Sequence, residues 1–340
     1  MAKEINYTIC PVGNASYIAA NTSILKDELD KVGYDPIKLQ TLDVSHWKEH
    51  FTYENDRLFR EGGNTPPIWS KSYGRQPVLI GLNLIPSEQA ILVRKDSDIN
   101  TVADLKGKKL AVPDRVNVTI DHQKSSTLEG YETALASAGL TKDDVELVFI
   151  RDEEPDYKGG QRWHFKKGLD VEALDEGKVD AIFIKNSAPE VLLDTGNYKR
   201  VINITRDQDK VAPINNEYPN VLTVSKKLAD EEPEVVVAFL KAAIKAARWA
   251  AVHKEEAEAL LAEQTFGNVD QYRRAFPADF YKHLEPNFAE EGLDALQVRA
   301  QFLYDNGFAK EVVNVREWAD KSFLERALKE LEEEAVNVAS

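Results

Sequence analysis

Cys10 is the only cysteine among the 340 residues, and it ends a predicted strand over residues 6–10. A helical pattern follows over residues 15–31. A side chain at such a turn lies at the carboxyl edge of an α/β sheet, where these folds bind ligands. The N–H groups at the start of the helix favour an anion or a thiolate at that edge. The alternative is that Cys10 is a small, buried apolar side chain.

A second candidate group lies between His50 and Gly63. The guanidinium of Arg60 is a planar set of donors that matches an anion with two oxygens. Gly62 and Gly63 follow it, and we predict a tight loop here whose backbone N–H groups can approach such an anion closely. By itself, an Arg-Gly-Gly loop is more often structural than ligand-binding.

Composition and charge restrict the class of protein. The net charge of −15 argues against nucleic acid and anionic membranes as partners, because both require a basic surface. No apolar run is long enough to cross a membrane, and the N-terminal residues lack the pattern of an export signal. A single cysteine excludes an internal disulfide. We therefore expect a cytoplasmic protein with a reduced thiol. We also expect it to be a monomer that acts on a small molecule.

The elements that must position these residues follow an α/β pattern. Short apolar runs alternate with helical patterns throughout, which indicates an open α/β sheet. A short helix, a glycine and a buried strand follow one another at residues 98–112, and again at 174–182. These segments resemble the second lobe of periplasmic solute-binding proteins of the sulfonate, taurine and thiamine-precursor type. The resemblance implies a two-lobe fold of type II, with the ligand cleft between lobes. Lobe one would comprise residues 1–88 and 221–340, and lobe two residues 89–220.

A second resemblance concerns activity. Residues 7–15, the His50-Phe51-Thr52-Tyr53 motif and the Arg60 to Gly63 segment resemble the 2'-hydroxybiphenyl-2-sulfinate desulfinases of microbial dibenzothiophene desulfurisation. The similarity extends over most of the chain. These enzymes have the solute-binding-protein fold without an export signal.

The resemblance assigns roles to individual positions. It implies that Cys10 is the nucleophile or the proton donor, that His50 is the catalytic histidine, and that Arg60 binds the sulfinate. The backbone N–H of Gly63 would contact the same group. Thr8 and Asn55 stand where the family has a serine and a glutamine. The further substrate-binding candidates are Gly62, Phe51, Thr8 and Asn55.

The second lobe departs from the family. The segment over residues 114–123 carries the polar side chains of Arg115, Asn117, Asp121 and His122. Lys185 and Asn186 stand where the biphenyl enzymes have aromatic side chains. A biphenyl group needs a broad apolar slot. We therefore expect a smaller or more polar sulfinate to be the better substrate, with Phe51 as one aromatic wall.

The leading interpretation is a cofactor-free desulfinase that hydrolyses the C–S bond of an organic, aromatic sulfinate and releases sulfite. Cys10 could attack sulfur or protonate carbon. The alternatives are a solute-binding protein for a sulfonate, sulfinate or thiamine precursor, and a thiamine-pyrimidine synthase. His46 and His50 have a spacing that suits a metal on a helix, but no third ligand matches them, so we expect no metal.

Overall fold

The computed structural model describes residues 2–154, 167–207 and 213–339. These residues form two compact units, each built from non-contiguous segments. The first unit comprises Met1–Ile85, Glu217–Leu261 and Asp279–Ser340, and the second comprises Pro86–Asn216 and Ala262–Ala278.

The division differs from the sequence-based one chiefly in Ala262–Ala278, which we expected in lobe one and which belongs to the second unit. A buried hydrogen bond of 2.7 Å joins the hydroxyls of Thr265 and Ser187. The helix of this segment also packs against the helix that follows Ser187. These contacts come from residues distant in sequence, which is why periodicity could not predict them.

In chain order, the first part of unit one contains strands and helices in alternation. They are β1 (Lys3–Ile9), α1 (Ala15–Asn21), α2 (Ile24–Asp30), β2 (Tyr34–Lys38), α3 (Glu49–Thr52), β3 (Leu58–Gly62), α4 (Thr65–Ser72) and β4 (Pro77–Asn83). Short 3-10 helices cover Leu39–Thr41 and Val44–His46.

The elements that follow in chain order, from residue 89 to residue 203, belong to unit two. They are β5 (Gln89–Arg94), β6 (Lys109–Arg115), α5 (His122–Ala136), β7 (Glu146–Asp152), α6 (Leu169–Asp175), β8 (Ile182–Lys185), α7 (Ala188–Leu193) and β9 (Tyr198–Asn203). Two 3-10 helices, Val102–Leu105 and Lys142–Asp144, lie among them.

The remaining elements complete both units. They are β10 (Asn220–Ser225), α8 (Lys226–Glu231), α9 (Pro233–Val252), α10 (Lys254–Gln264), α11 (Val269–Ala275), the 3-10 helix Phe280–His283, α12 (Glu290–Asp305), α13 (Val315–Trp318) and α14 (Ser322–Ala339).

The sheet of unit one has the strand order β2-β1-β3-β10-β4. Strands β2, β1 and β3 are parallel, whereas β10 runs antiparallel to both β3 and β4. Helix α9 packs against α1, α2 and α14, and its apolar residues surround the helix axis, as expected of a helix buried on several sides. Phe239 of α9 stacks on Phe59 of β3, with 4.1 Å between ring centroids.

Unit two contains an antiparallel sheet of order β8-β5-β9 and a parallel pair, β6-β7. A bridge between Leu110 and Ala181 links the pair to the segment before β8. One core cluster includes Ile91, Leu110, Tyr131 and Phe183.

The segment around Arg60 corrects the sequence analysis. We predicted a tight loop from Arg60 to Gly63, but Arg60, Glu61 and Gly62 belong to β3, whose five residues are all buried. Two adjacent charged residues and two glycines show no strand alternation, so the sequence pattern favours a loop. Parallel pairing with β1 and antiparallel pairing with β10 override this local preference.

Candidate active site

The carboxyl ends of β1 and β3 place Cys10 beside Gly62. The two strands are parallel, with Thr8 opposite Arg60 and Ile9 opposite Glu61. The Cys10 N–H donates to the Glu61 carbonyl at 2.9 Å, which continues the pairing one residue beyond β1. Because side chains alternate along a strand, Thr8 and Arg60 lie on one face of the sheet while Glu61 lies on the other.

Three side chains from separate elements converge at this edge. The Cys10 Sγ lies 3.4 Å from His50 Nε2, which α3 supplies. The Arg60 Nη2 lies 3.3 Å from the same sulfur and 3.3 Å from His50 Nε2. The three catalytic candidates predicted from sequence therefore lie within hydrogen-bond distance of one another.

Arg60 is a buried cation, with only 1 % of its surface exposed. Its Nη1 donates to the Gly63 carbonyl at 2.8 Å, and its buried Nε finds no hydrogen-bond partner among the described residues. Within the described part of the chain, no carboxylate forms a salt bridge with it. A buried charge is costly unless an opposite charge or hydrogen bonds compensate it. A thiolate at Cys10 or a bound anion would supply that negative charge.

Thr8, a substrate-binding candidate from the sequence analysis, contacts His50. Its Oγ1 lies 2.8 Å from His50 Nδ1 and also accepts a hydrogen bond of 2.7 Å from Gln40 Nε2. Gln40 belongs to the 3-10 helix directly after β2, at the same edge of the sheet. Gln40 lies in a three-residue 3-10 helix and belongs to no recognisable motif, so the sequence analysis did not identify it.

The two glycines have different environments. Gly62 has φ +154°, and a Cβ placed there would lie 2.1 Å from the sulfur of Cys10. Only glycine therefore permits the observed approach of Cys10 to β3. Gly63 presents its carbonyl to Arg60.

Phe51 and Asn55 separate in the structure. Phe51 is buried and meets the His50 ring edge-on, with 4.7 Å between centroids. Asn55 does not join the cluster, because its amide donates to Asn6 and Glu49. It precedes β3 and therefore lies toward the opposite end of that strand from Cys10.

His46 does not pair with His50. Its Nδ1 lies 2.9 Å from Glu49 Oε1, and half of its side chain is exposed. Over the described ranges, no group of three or more His, Cys, Asp or Glu side chains could hold a metal ion.

Two further buried groups adjoin the cluster. The Tyr53 hydroxyl lies 2.6 Å from Thr223 Oγ1, and burial raises the pKa of this phenol. Tyr53 has φ +54°, an uncommon conformation for a residue with a side chain. On the other face of β3, Glu61 accepts from the Ser16 N–H at 3.0 Å, and burial raises its pKa to about 6. Tyr53 and Glu61 lie within the two motifs of the sequence analysis, but nothing in the sequence indicated that their polar groups are buried.

The comparisons with known proteins agree with this geometry. No family model matches the chain. The chain is 29 % identical to a 2'-hydroxybiphenyl-2-sulfinate desulfinase of Rhodococcus erythropolis, over 95 % of this chain and 93 % of the relative.

Over the part of the chain that the structure describes, no helix combines the length and apolar character needed to cross a bilayer.

Solved structures of a desulfinase and of a sulphonate-binding protein are also similar to this chain. A cysteine-to-serine mutant of DszB in complex with biphenyl-2-sulfinic acid matches with a TM-score of 0.75 and 25 % identity, covering 97 % of this chain and 100 % of that one. The periplasmic aliphatic sulphonate binding protein SsuA of Escherichia coli matches with a TM-score of 0.64 and 19 % identity, covering 94 % and 92 %. The chain is thus a relative of the 2'-hydroxybiphenyl-2-sulfinate desulfinases and has the two-lobe α/β fold of the periplasmic binding proteins.

Proposed function

We propose that this protein is a desulfinase, a hydrolase that cleaves the C–S bond of an organic sulfinate and releases sulfite. The reaction is R–SO₂⁻ plus water giving R–H plus HSO₃⁻. Atoms and charge balance without an external oxidant or reductant, so acid–base and nucleophilic groups are sufficient for it. The thiol, imidazole and guanidinium of the cluster are such groups.

The observation that carries this proposal is the buried Arg60 guanidinium 3.3 Å from the Cys10 sulfur. An arginine can hold the two sulfinate oxygens through paired N–H donors, and the sulfinate sulfur would then lie near the thiol. A transport protein needs affinity for an anion but no thiol in contact with an imidazole. The similarity to a desulfinase over nearly the whole chain supports the same conclusion.

Two routes fit the cluster. In one, a Cys10 thiolate attacks the sulfinate sulfur, an S–S bond forms, and the C–S bond breaks as the carbon takes a proton. Water then opens the thiosulfonate-like adduct to bisulfite and regenerates the thiol. In the other, the Cys10 thiol protonates the carbon, and the departing SO₂ is hydrated to bisulfite. His50 would exchange protons with the sulfur in both.

A second candidate function is a solute-binding protein for sulfonates or sulfinates. The likeness of the fold to SsuA favours it. Binding proteins hold their ligand unchanged, so the two functions differ in whether sulfite is released.

The test is sulfite release by the purified protein from 2'-hydroxybiphenyl-2-sulfinate, biphenyl-2-sulfinate, benzenesulfinate and an alkanesulfinate. A desulfinase gives one sulfite and one desulfinated product per sulfinate consumed, and Cys10→Ser gives neither while still binding sulfinate. Calorimetric binding of sulfinates or sulfonates without any sulfite would establish the binding protein instead.

We also propose that the protein acts in the cytoplasm, where a reduced thiol is maintained. The cluster comes from one unit of a single chain, which supports a monomer that acts on a small molecule. The net charge of −15 disfavours nucleic acid and anionic membranes as additional partners. A mass determination in solution and fractionation of the source cells test these assignments.

A further inference from the structure

A chain of polar groups extends behind His50, away from Cys10. Gln40 Nε2 donates to Thr8 Oγ1 at 2.7 Å, and Thr8 Oγ1 lies 2.8 Å from His50 Nδ1. Thr8 is completely buried, so water cannot compete for its hydroxyl. The Oε1 of Gln40 is buried, and no residue in the described ranges forms a hydrogen bond with it.

The direction of the hydrogen bonds from Gln40 through Thr8 determines the tautomer of His50. The Thr8 hydroxyl has one hydrogen and two lone pairs. Because its oxygen accepts from the Gln40 amide, its hydrogen is available for His50 Nδ1. A neutral imidazole that accepts at Nδ1 carries its own hydrogen at Nε2. The Nε2–H is then directed at the Cys10 sulfur, 3.4 Å away.

We infer that Gln40 is a positioning residue which, through Thr8, holds His50 as a hydrogen-bond donor to the Cys10 sulfur. The inference about catalysis rests on the proposed function, whereas the tautomer does not. Arg60 Nη2 lies 3.3 Å from the same sulfur, so two N–H donors face it. This arrangement stabilises a thiolate and supplies protons to sulfur. The contact between Arg60 Nη2 and His50 Nε2 is then an approach of two donors.

Reversing the hydrogen bonds among Gln40, Thr8 and His50 would give the other tautomer of His50. If the Gln40 amide presented its oxygen to Thr8, the Thr8 hydroxyl would donate to Gln40 and accept from a hydrogen on His50 Nδ1. Nε2 would then accept a hydrogen bond from Arg60. Gln40→Glu imposes this state, because a carboxylate only accepts, whereas Gln40→Met removes the interaction.

Nitrogen NMR of ¹⁵N-histidine-labelled protein tests the inference directly. The spectra are recorded above the pH at which His50 titrates, with its signals assigned by loss in His50→Gln. We expect the nitrogen without a hydrogen to be Nδ1 in the unmodified protein and Nε2 in Gln40→Glu. A hydrogen on Nδ1 in the unmodified protein, or an unchanged tautomer in Gln40→Glu, would overturn the inference.

Kinetics on a sulfinate give the second readout. Gln40→Glu and Gln40→Met should lower kcat by about tenfold or more with little change in KM; a wrong histidine tautomer costs ~10⁴-fold in serine proteases. Gln297→Met is the matched control, because Gln297 is also a half-buried glutamine in unit one. Within the described part of the chain, its side chain bonds only to the backbone at Val313 and Val315. Equal kcat in the three variants would refute a role for Gln40. If the unmodified protein releases no sulfite, the proposed function fails while the NMR experiment still reports the tautomer.

Discussion

Replacing Gly62 by alanine should disable the cluster by displacing Cys10. A Cβ at this position would lie 2.1 Å from the Cys10 sulfur and 2.4 Å from its Cβ. Non-bonded carbon contacts settle near about 3.5–4.0 Å, so Cys10 must move by roughly 1.5 Å. Cysteine is too short for a rotamer change to relieve both contacts. The movement would therefore involve the backbone after β1.

The expected loss follows from that displacement. A misplacement of about 1 Å can cost ~10²-fold in rate, so kcat for sulfite release should fall by about 100-fold or more. The φ of +154° adds backbone strain for alanine, on the order of 1–3 kcal/mol of unfolding free energy. Sulfite release and urea denaturation measure the two effects separately.

Gly74→Ala is the matched control. Gly74 also has a positive φ, +87°, but no atom of the described residues lies within 4 Å of a Cβ placed there. It should lose stability through backbone strain and keep its activity. If Gly62→Ala releases sulfite as fast as Gly74→Ala does, the contact with Cys10 does not control catalysis and the reasoning is wrong.

Three other predictions concern the anion, the buried carboxyl and the substrate. Arg60→Lys should raise the Kd for a sulfinate by about 10- to 150-fold. A lysine cannot reproduce the planar set of donors, and a charge-assisted hydrogen bond contributes about 1.5–3 kcal/mol. Unchanged affinity in calorimetry would show that another residue binds the anion. Burial raises the pKa of Glu61 from 4.5 to about 6. The folded protein therefore holds this proton more tightly than the unfolded chain does, and the resulting stabilisation is fully present below pH 4.5. About 2 kcal/mol of unfolding free energy is lost as the pH rises through 6. Glu61→Gln should remove that pH dependence and be the more stable protein at pH 7 in urea titrations; a parallel pH profile in both proteins would contradict the assignment. The polar side chains of Arg115, Asn117, Asp121 and His122 predict a higher kcat/KM for benzenesulfinate than for 2'-hydroxybiphenyl-2-sulfinate. The reverse order in the sulfite assay would refute this.

The fold class could be predicted because local patterns carry it. Alternating apolar runs and helical patterns indicated an α/β protein, and the strand predicted over residues 6–10 overlaps β1 (Lys3–Ile9). The breaks within long helical patterns were not predicted. The pattern over residues 15–31 divides into α1 and α2 at Thr22, which has an extended backbone and whose hydroxyl bonds to the Ile18 carbonyl. Such local competition depends on conformation rather than periodicity.

The sequence by itself determined which chemistry the protein has available. It contains one thiol, at a strand end, and a histidine and an arginine in a motif with two glycines. Tertiary structure alone decided how these groups meet. Parallel pairing with β1 made Arg60 part of a buried strand rather than a loop. The same packing directed Thr8 to His50 and brought Gln40 to Thr8, while Asn55 was left outside the cluster. The physical reason is that hydrogen bonds across a sheet join residues remote in sequence, and no local pattern encodes which strands will be neighbours.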